Sequence, residues 1–123
     1  MVDTDVTASI EYAIDHLSTK LIVVMGRTSC GAASARVDHL SDFDGEQAEV
    51  VDLLYRIEPA IAGIDTKQSR EKQIQQAVHQ NVEQSVRRLS PFPDLRKSLK
   101  GGSVRIVGAI DDMHTEDSEI GKP

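Results

Sequence analysis

The spacing of apolar side chains divides the chain into alternating helical and extended segments. Apolar residues that recur every three or four positions predict amphipathic helices, and two short blocks rich in Ile and Val predict strands. In chain order the pattern predicts a helix with its apolar side at residues 10–17, a strand at 21–25, helices at about 30–40, 46–62 and 68–89, a short helix at about 94–99, and a strand at 104–110. This alternation is typical of α/β domains, so we expect a small, mainly parallel β-sheet flanked by helices.

Glycine and proline residues set the ends of several elements. Gly26 ends the first strand, whose uninterrupted apolar run predicts burial on both faces. Pro59 falls inside the helix predicted at 46–62 and should kink or shorten it, and Pro91 and Pro93 end the long amphipathic helix. The polar residues 111–123 are expected to form a flexible tail, unless residues 118–120 add a short edge strand.

Length and composition indicate one folded domain over residues 1–123. Hydrophobic residues make up 39% of the chain and aromatic residues only 3%, with no Trp, so the core should be aliphatic. The net charge of −6 provides no basic surface for nucleic acid, so we expect no nucleic-acid partner.

Cys30 is the only cysteine, which excludes an intrachain disulfide and favours a reducing compartment. The N-terminus shows no basic region followed by an apolar run, as a secretory signal would require. The longest apolar run, at 21–25, is far too short to span a bilayer. We therefore expect a cytoplasmic protein with no membrane partner.

Three blocks of sequence, in series, suggest a family. The first runs from Ala-Ser-Ile-Glu-Tyr-Ala-Ile at 8–14 to Gly-Arg-Thr-Ser-Cys-Gly-Ala at 26–32, the second is Asn-Val-x-x-x-Val-x-x-Leu at 81–89, and the third is Ile-Val-Gly-Ala-Ile at 106–110, followed by Asp112 and Thr115. Together they resemble the β-class carbonic anhydrases, whose zinc-binding turn reads Gly-His-Ser-x-Cys-Gly-Ala. The resemblance covers most of the chain and implies a reduced β-carbonic-anhydrase-like fold.

The departures from the family pattern concern the metal site. The family's Cys-x-Asp-x-Arg segment, which precedes the first helix and carries a zinc ligand, has no counterpart here, and Arg27 stands at the position of the histidine ligand. A guanidinium cannot ligate zinc. Cys30 is the only ligand position that the resemblance leaves, and none of His16, His39, His79 and His114 has metal-ligand spacing to it. Asp111 and Glu116 also depart from the third block, at an aromatic or apolar position and at a glycine position.

These departures predict a carbonic-anhydrase-like protein that has lost zinc-dependent CO₂ hydration, with no catalytic residue and no cofactor. Such a protein would act as a small dimeric scaffold or as an anion-binding module. The candidate anion site comprises Arg27, Thr28, Ser29 and Gly31, at the start of a helix, and its ligand would be bicarbonate, phosphate or another small anion. Arg27 has a second interpretation as a solvated surface arginine.

Two further functions stay open. One is an active carbonic anhydrase whose zinc site is rebuilt around Cys30 by ligands from elsewhere, with zinc as cofactor. The other is a thiol-based sensor at Cys30, since a helix N-terminus and a neighbouring arginine both favour thiolate.

The small predicted sheet also bears on assembly. Two strands covered by helices leave apolar edges and faces exposed, and such a sheet is marginal in water on its own. A second copy of the chain is the simplest cover, so we expect a homodimer.

Overall fold

The structure is a computed structural model and describes residues 2–90, 101–115 and 117–121. Its elements in chain order are α1 (Thr4–Leu17), β1 (Leu21–Arg27), α2 (Gly31–Asp38), α3 (Ala48–Arg56), a 3₁₀ turn (Glu58–Ile61), α4 (Arg70–Leu89), β2 (Arg105–Asp112) and β3 (Asp117–Ile120). The helix predicted at 94–99, Pro91 and Pro93 lie outside the described residues. No helix in the described ranges combines the length and the apolar character that a bilayer crossing needs.

Local sequence explains where the helices begin and end. The Asp3 side chain caps α1 by accepting a hydrogen bond from the Val6 N–H at 2.9 Å, and the Ser69 hydroxyl caps α4. The helix predicted at 46–62 is shortened, as expected, because α3 ends at Arg56 and Pro59 lies in the 3₁₀ turn that follows. Pro59 lies in the first turn of that short helix. A backbone N–H at this position has no hydrogen-bond partner within the helix, so proline, which lacks the N–H, is tolerated there.

The sheet confirms the predicted α/β class. β1 pairs with β2 in parallel, from Leu21 opposite Arg105 to Arg27 opposite Asp111. β3 adds to the far side of β2 in antiparallel orientation, giving the strand order β1-β2-β3. The strand β3 coincides with the short edge strand that the sequence predicted at 118–120 as the alternative to a flexible tail.

The prediction that the first strand is buried on both faces was wrong. Its side chains alternate, and Leu21, Val23 and Met25 are 54%, 42% and 60% exposed. An apolar run indicates a strand that could be buried on two faces, but burial also needs an element to cover each face. The helix α4 covers the face of Gly26 and leaves the face of Val23 open.

α4 approaches the sheet closely because two glycines face it. A Cβ built on Gly26 would lie 2.6 Å from Val82 Cγ2, and one built on Gly108 would lie 2.8 Å from Val82 Cγ1. Val82 is 7% exposed, so its two methyl groups fill the space that both glycines leave. The predicted aliphatic core is confirmed among the described residues, whose buried hydrophobic side chains are all Ala, Val, Leu or Ile.

Candidate functional site

The turn after β1 redirects the chain into α2. The Thr28 N–H donates to the Asp111 carbonyl at 3.0 Å, which prolongs the pairing with β2 by one residue. Ser29 then adopts a left-handed conformation, with φ 59°, and Cys30 is extended at the N-cap of α2. A left-handed backbone is uncommon for a residue other than glycine, so this turn is held by its surroundings.

A cavity of about 260 Å³ lies beside the carboxyl half of β1, between α2 and α4. Its polar lining comes from Arg27, Cys30, Asn81 and Ser85. The rest of the lining is apolar or glycine and comprises Val24, Met25, Gly26, Ala33, Val78 and Val82. The cavity therefore brings a cation, a thiol and an amide together beside apolar walls, and Arg27 remains exposed to solvent.

The start of α2 adds backbone donors next to this cavity. The Cys30 side chain makes no capping hydrogen bond, and the first turn of α2 contains no acidic residue. The first intrahelical bond is from the Ser34 N–H to the Cys30 carbonyl, at 2.9 Å. The N–H groups of residues 31–33 precede this bond, have no partner within the helix, and carry the positive end of its dipole.

The structure does not gather the four candidate anion-binding residues around one cavity. Arg27 lines the cavity together with Cys30, whereas Thr28 and Ser29 line a narrow cleft of about 30 Å³ beside His79. The Thr28 hydroxyl accepts a hydrogen bond from the Met113 N–H at 3.1 Å, so it holds the turn between β2 and β3. The Gly31 Cα faces open space.

Asn81 and Ser85 lie in the cavity although sequence reasoning did not assign them to a site. They are four residues apart on α4, on the side that carries Val82, and Ser85 is 6% exposed. The Ser85 hydroxyl donates to the Asn81 carbonyl at 2.9 Å, so it is satisfied within the helix. The sequence does contain a signal that could have identified them, because both are polar residues at positions that the helical periodicity places on the buried side of α4.

The donors in the described residues do not fit a zinc ion. Structural and catalytic zinc sites use three or four Cys, His, Asp or Glu ligands. No group of three such side chains is close enough to hold a metal in the described part of the chain. His39 instead pairs with Glu46 at 3.2 Å, and the His16 ring stacks on Tyr12 with centroids 4.6 Å apart.

Comparison with known proteins gives the family. A family model described as carbonic anhydrase matches residues 1–118. Carbonic anhydrase 2 of Mycobacterium tuberculosis is 34% identical over 110 residues, which are 88% of this chain and 52% of that protein. The carbonic anhydrase of Mycolicibacterium smegmatis is 34% identical over 122 residues, 98% of this chain and 57% of that protein. The chain thus spans about half the length of these curated relatives.

Solved structures show the same fold. The β-carbonic anhydrase CafA of Aspergillus fumigatus matches with a TM-score of 0.83 at 19% identity, over 99% of this chain and 59% of that one. One of two tetrameric β-carbonic anhydrases from Sordaria macrospora matches with a TM-score of 0.82 at 24% identity, over 97% of this chain and 60% of that one. From the family match over residues 1–118 and this shared fold, we conclude that the chain belongs to the β-class carbonic anhydrase family.

Proposed function

We propose that this protein is a carbonic-anhydrase-like module that binds a small anion, bicarbonate or phosphate, without zinc. The observation that carries the proposal is the shared cavity of Arg27, Cys30 and Asn81, next to the uncapped start of α2. Arg27 supplies a permanent charge, the N–H groups of residues 31–33 supply directed donors, and the Asn81 amide supplies a further donor. Thr28 and Ser29 belong to the turn that positions these groups.

The charge of Arg27 supports an anion over a metal. Carbonic anhydrase chemistry needs a zinc ion held by about three protein ligands, so that its bound water ionises near neutral pH. At the position of the family's histidine, this chain has a guanidinium, which repels a divalent cation and attracts an oxyanion. A zinc-dependent lyase rebuilt around Cys30 is the competing proposal, favoured by the 34% identity to proteins named carbonic anhydrases.

Isothermal titration with sodium bicarbonate and with sodium phosphate tests the anion site. We expect saturable binding by the wild type and at least a tenfold weaker affinity for Arg27→Gln. Arg105→Gln is the matched control, since Arg105 is also an exposed arginine but lies opposite Leu21, at the other end of β1. Equal losses in the two variants, or no binding by the wild type, would refute the proposal.

Metal content and CO₂ hydration, measured on the same preparation, decide between the two functions. We expect no stoichiometric zinc and no turnover above the uncatalysed rate. About one zinc per chain together with turnover that disappears in Cys30→Ser would establish the competing lyase.

We also propose that the protein is a homodimer and that it works in the cytoplasm. The exposed face of β1 leaves apolar surface to be covered, and a single thiol suits a reducing compartment. The Sordaria macrospora relatives are described as tetrameric, which is consistent with self-association. Light scattering at micromolar concentration tests the dimer.

A further inference from the structure

We propose that Asp112 is a positioning residue for the anion site, acting through the Met113 N–H and the Thr28 hydroxyl. This inference rests on the proposed function and deepens it, because it names a residue outside the cavity that controls the affinity of the site. Asp112 ends β2 and does not line the cavity that Arg27 shares with Cys30. A carboxylate repels an anion, so a favourable effect of Asp112 has to come from its hydrogen bonds.

Asp112 closes the turn between β2 and β3 through two acceptors. Its carboxylate accepts a hydrogen bond from the His114 N–H at 2.9 Å, and its carbonyl accepts one from the Thr115 N–H at 3.3 Å. A side chain that accepts from the backbone N–H two residues on stabilises a local turn, and Asp and Asn favour this arrangement. The Met113 backbone lies inside the closed turn. Asp112 therefore fixes the direction in which the Met113 N–H points.

The Met113 N–H connects this turn to the one that carries the anion site. It donates to the Thr28 hydroxyl oxygen at 3.1 Å, across 85 positions of the chain. The Thr28 N–H donates to the Asp111 carbonyl at 3.0 Å. Thr28 is thus joined to the end of β2 by its backbone and to the following turn by its side chain, which restricts the residues on either side of it.

The residue after Thr28 needs such support. Ser29 has a φ of 59°, a left-handed conformation that is strained for a residue with a side chain and that surrounding contacts have to maintain. Cys30 follows directly as the N-cap of α2, so a relaxation of Ser29 would reorient the N–H groups of residues 31–33. The hydrogen bonds through Asp112 hold these donors in place before an anion arrives, and such preorganisation raises affinity.

Paired substitutions separate the hydrogen bonds of Asp112 and Thr28 from their other properties. Asp112→Asn keeps an oxygen that can accept from the His114 N–H and removes the charge, whereas Asp112→Ala removes both. Thr28→Ser keeps the hydroxyl, and Thr28→Val replaces it with a methyl group. Asp65→Ala is the matched control. The Asp65 carboxylate also accepts from the N–H two residues on, that of Lys67 at 2.9 Å, but Asp65 does not line the cavity.

Isothermal titration with sodium phosphate measures the affinity of each variant, with far-UV circular dichroism to confirm folding. We expect Asp112→Ala and Thr28→Val each to bind about fivefold more weakly than wild type, and Asp112→Asn, Thr28→Ser and Asp65→Ala to lose no more than about twofold. The double variant Asp112→Ala/Thr28→Val should match the weaker single variant, since both changes act on one hydrogen bond. Wild-type affinity in Asp112→Ala, an equal loss in Asp112→Asn, or losses that multiply in the double variant would overturn the inference.

Amide exchange tests the same connection in the wild type alone. By linkage, a hydrogen bond that favours anion binding is itself favoured by the bound anion. Relative to sodium chloride of equal ionic strength, saturating phosphate should slow exchange of the Met113 amide about fivefold by NMR and leave the Lys67 amide unchanged. No change at Met113 in a protein that binds phosphate would overturn the inference and leave the proposed function standing. A wild type that binds neither phosphate nor bicarbonate would overturn both.

Discussion

The contact of Val82 with two glycines offers a sharp test of how α4 is seated on the sheet. In Gly26→Ala the new methyl would lie 2.6 Å from Val82 Cγ2 and 3.0 Å from Val78 Cγ1, and in Gly108→Ala 2.8 Å from Val82 Cγ1. Carbon atoms in good contact are about 3.5–4.0 Å apart, so each change overlaps by roughly 1 Å. Because Val82 is buried, its methyl groups cannot move into solvent. Overpacking of this kind costs about 1–3 kcal/mol, and we expect each variant to lose that much unfolding free energy.

Urea unfolding followed by far-UV circular dichroism measures this loss, at one protein concentration so that self-association does not change the comparison. Gly31→Ala is the control, because its added methyl would meet nothing within 4 Å, and we expect no loss. Val82→Ala alone should cost about 2 kcal/mol through lost burial and a small cavity. Combined with Gly26→Ala it should cost at least 1 kcal/mol less than the two separate losses added together. Strictly additive losses would refute the proposed contact.

Two other predictions concern charged residues outside the cavity. The pKa of Asp38 is lowered below its ordinary value of 3.8 by hydrogen bonds from Arg70, at 2.6 and 2.7 Å. This pair stabilises the fold above the ordinary carboxyl pKa and stops doing so as the pH falls through the lowered one. Wild type should therefore exceed Asp38→Asn in stability near neutral pH but not near pH 2, and a constant difference would contradict the assignment. Arg36 is 3% exposed, and its guanidinium donates to the His39 carbonyl and lies 3.9 Å from a Glu58 carboxylate oxygen and 5.0 Å from the Phe43 ring centre, while its Nε lacks a hydrogen-bond partner. Arg36→Met and Arg36→Ala both lose the hydrogen bond to His39, but only Ala also leaves the volume of the side-chain stem unfilled, so thermal unfolding should show Arg36→Ala to be less stable than Arg36→Met by at least about 1 kcal/mol. Equal losses would contradict this.

Elements with strong local signals were predictable from the sequence. The helix predicted at 68–89 begins two residues later, at Arg70, because Ser69 caps it. Pro59 divided its helix as expected, and the strand predicted at 104–110 matches β2 closely. Each of these outcomes depends on residues near one another in the chain, where periodicity and capping act.

The burial of β1 and the composition of the site could not be predicted in the same way. Whether Val23 is covered depends on which elements pack against the second face of the sheet, and an apolar run carries no such information. Asn81 reaches the cavity only because α4 crosses the sheet beside Cys30. The Thr28 hydroxyl is engaged by the Met113 N–H, a contact between residues far apart in sequence. The exposure of Val23, the position of Asn81 and the hydrogen bond of Thr28 all depend on tertiary packing.

The parallel pairing of β1 with β2 has a consequence for synthesis on the ribosome. Leu21 cannot meet Arg105 until residue 105 has left the exit tunnel. The helices between them form from local contacts and fold early, while the edge of β1 that β2 later covers stays open. The nascent chain therefore passes through a stage at which an apolar strand is accessible to aggregation, and we expect its yield to depend on chaperones that shield such segments.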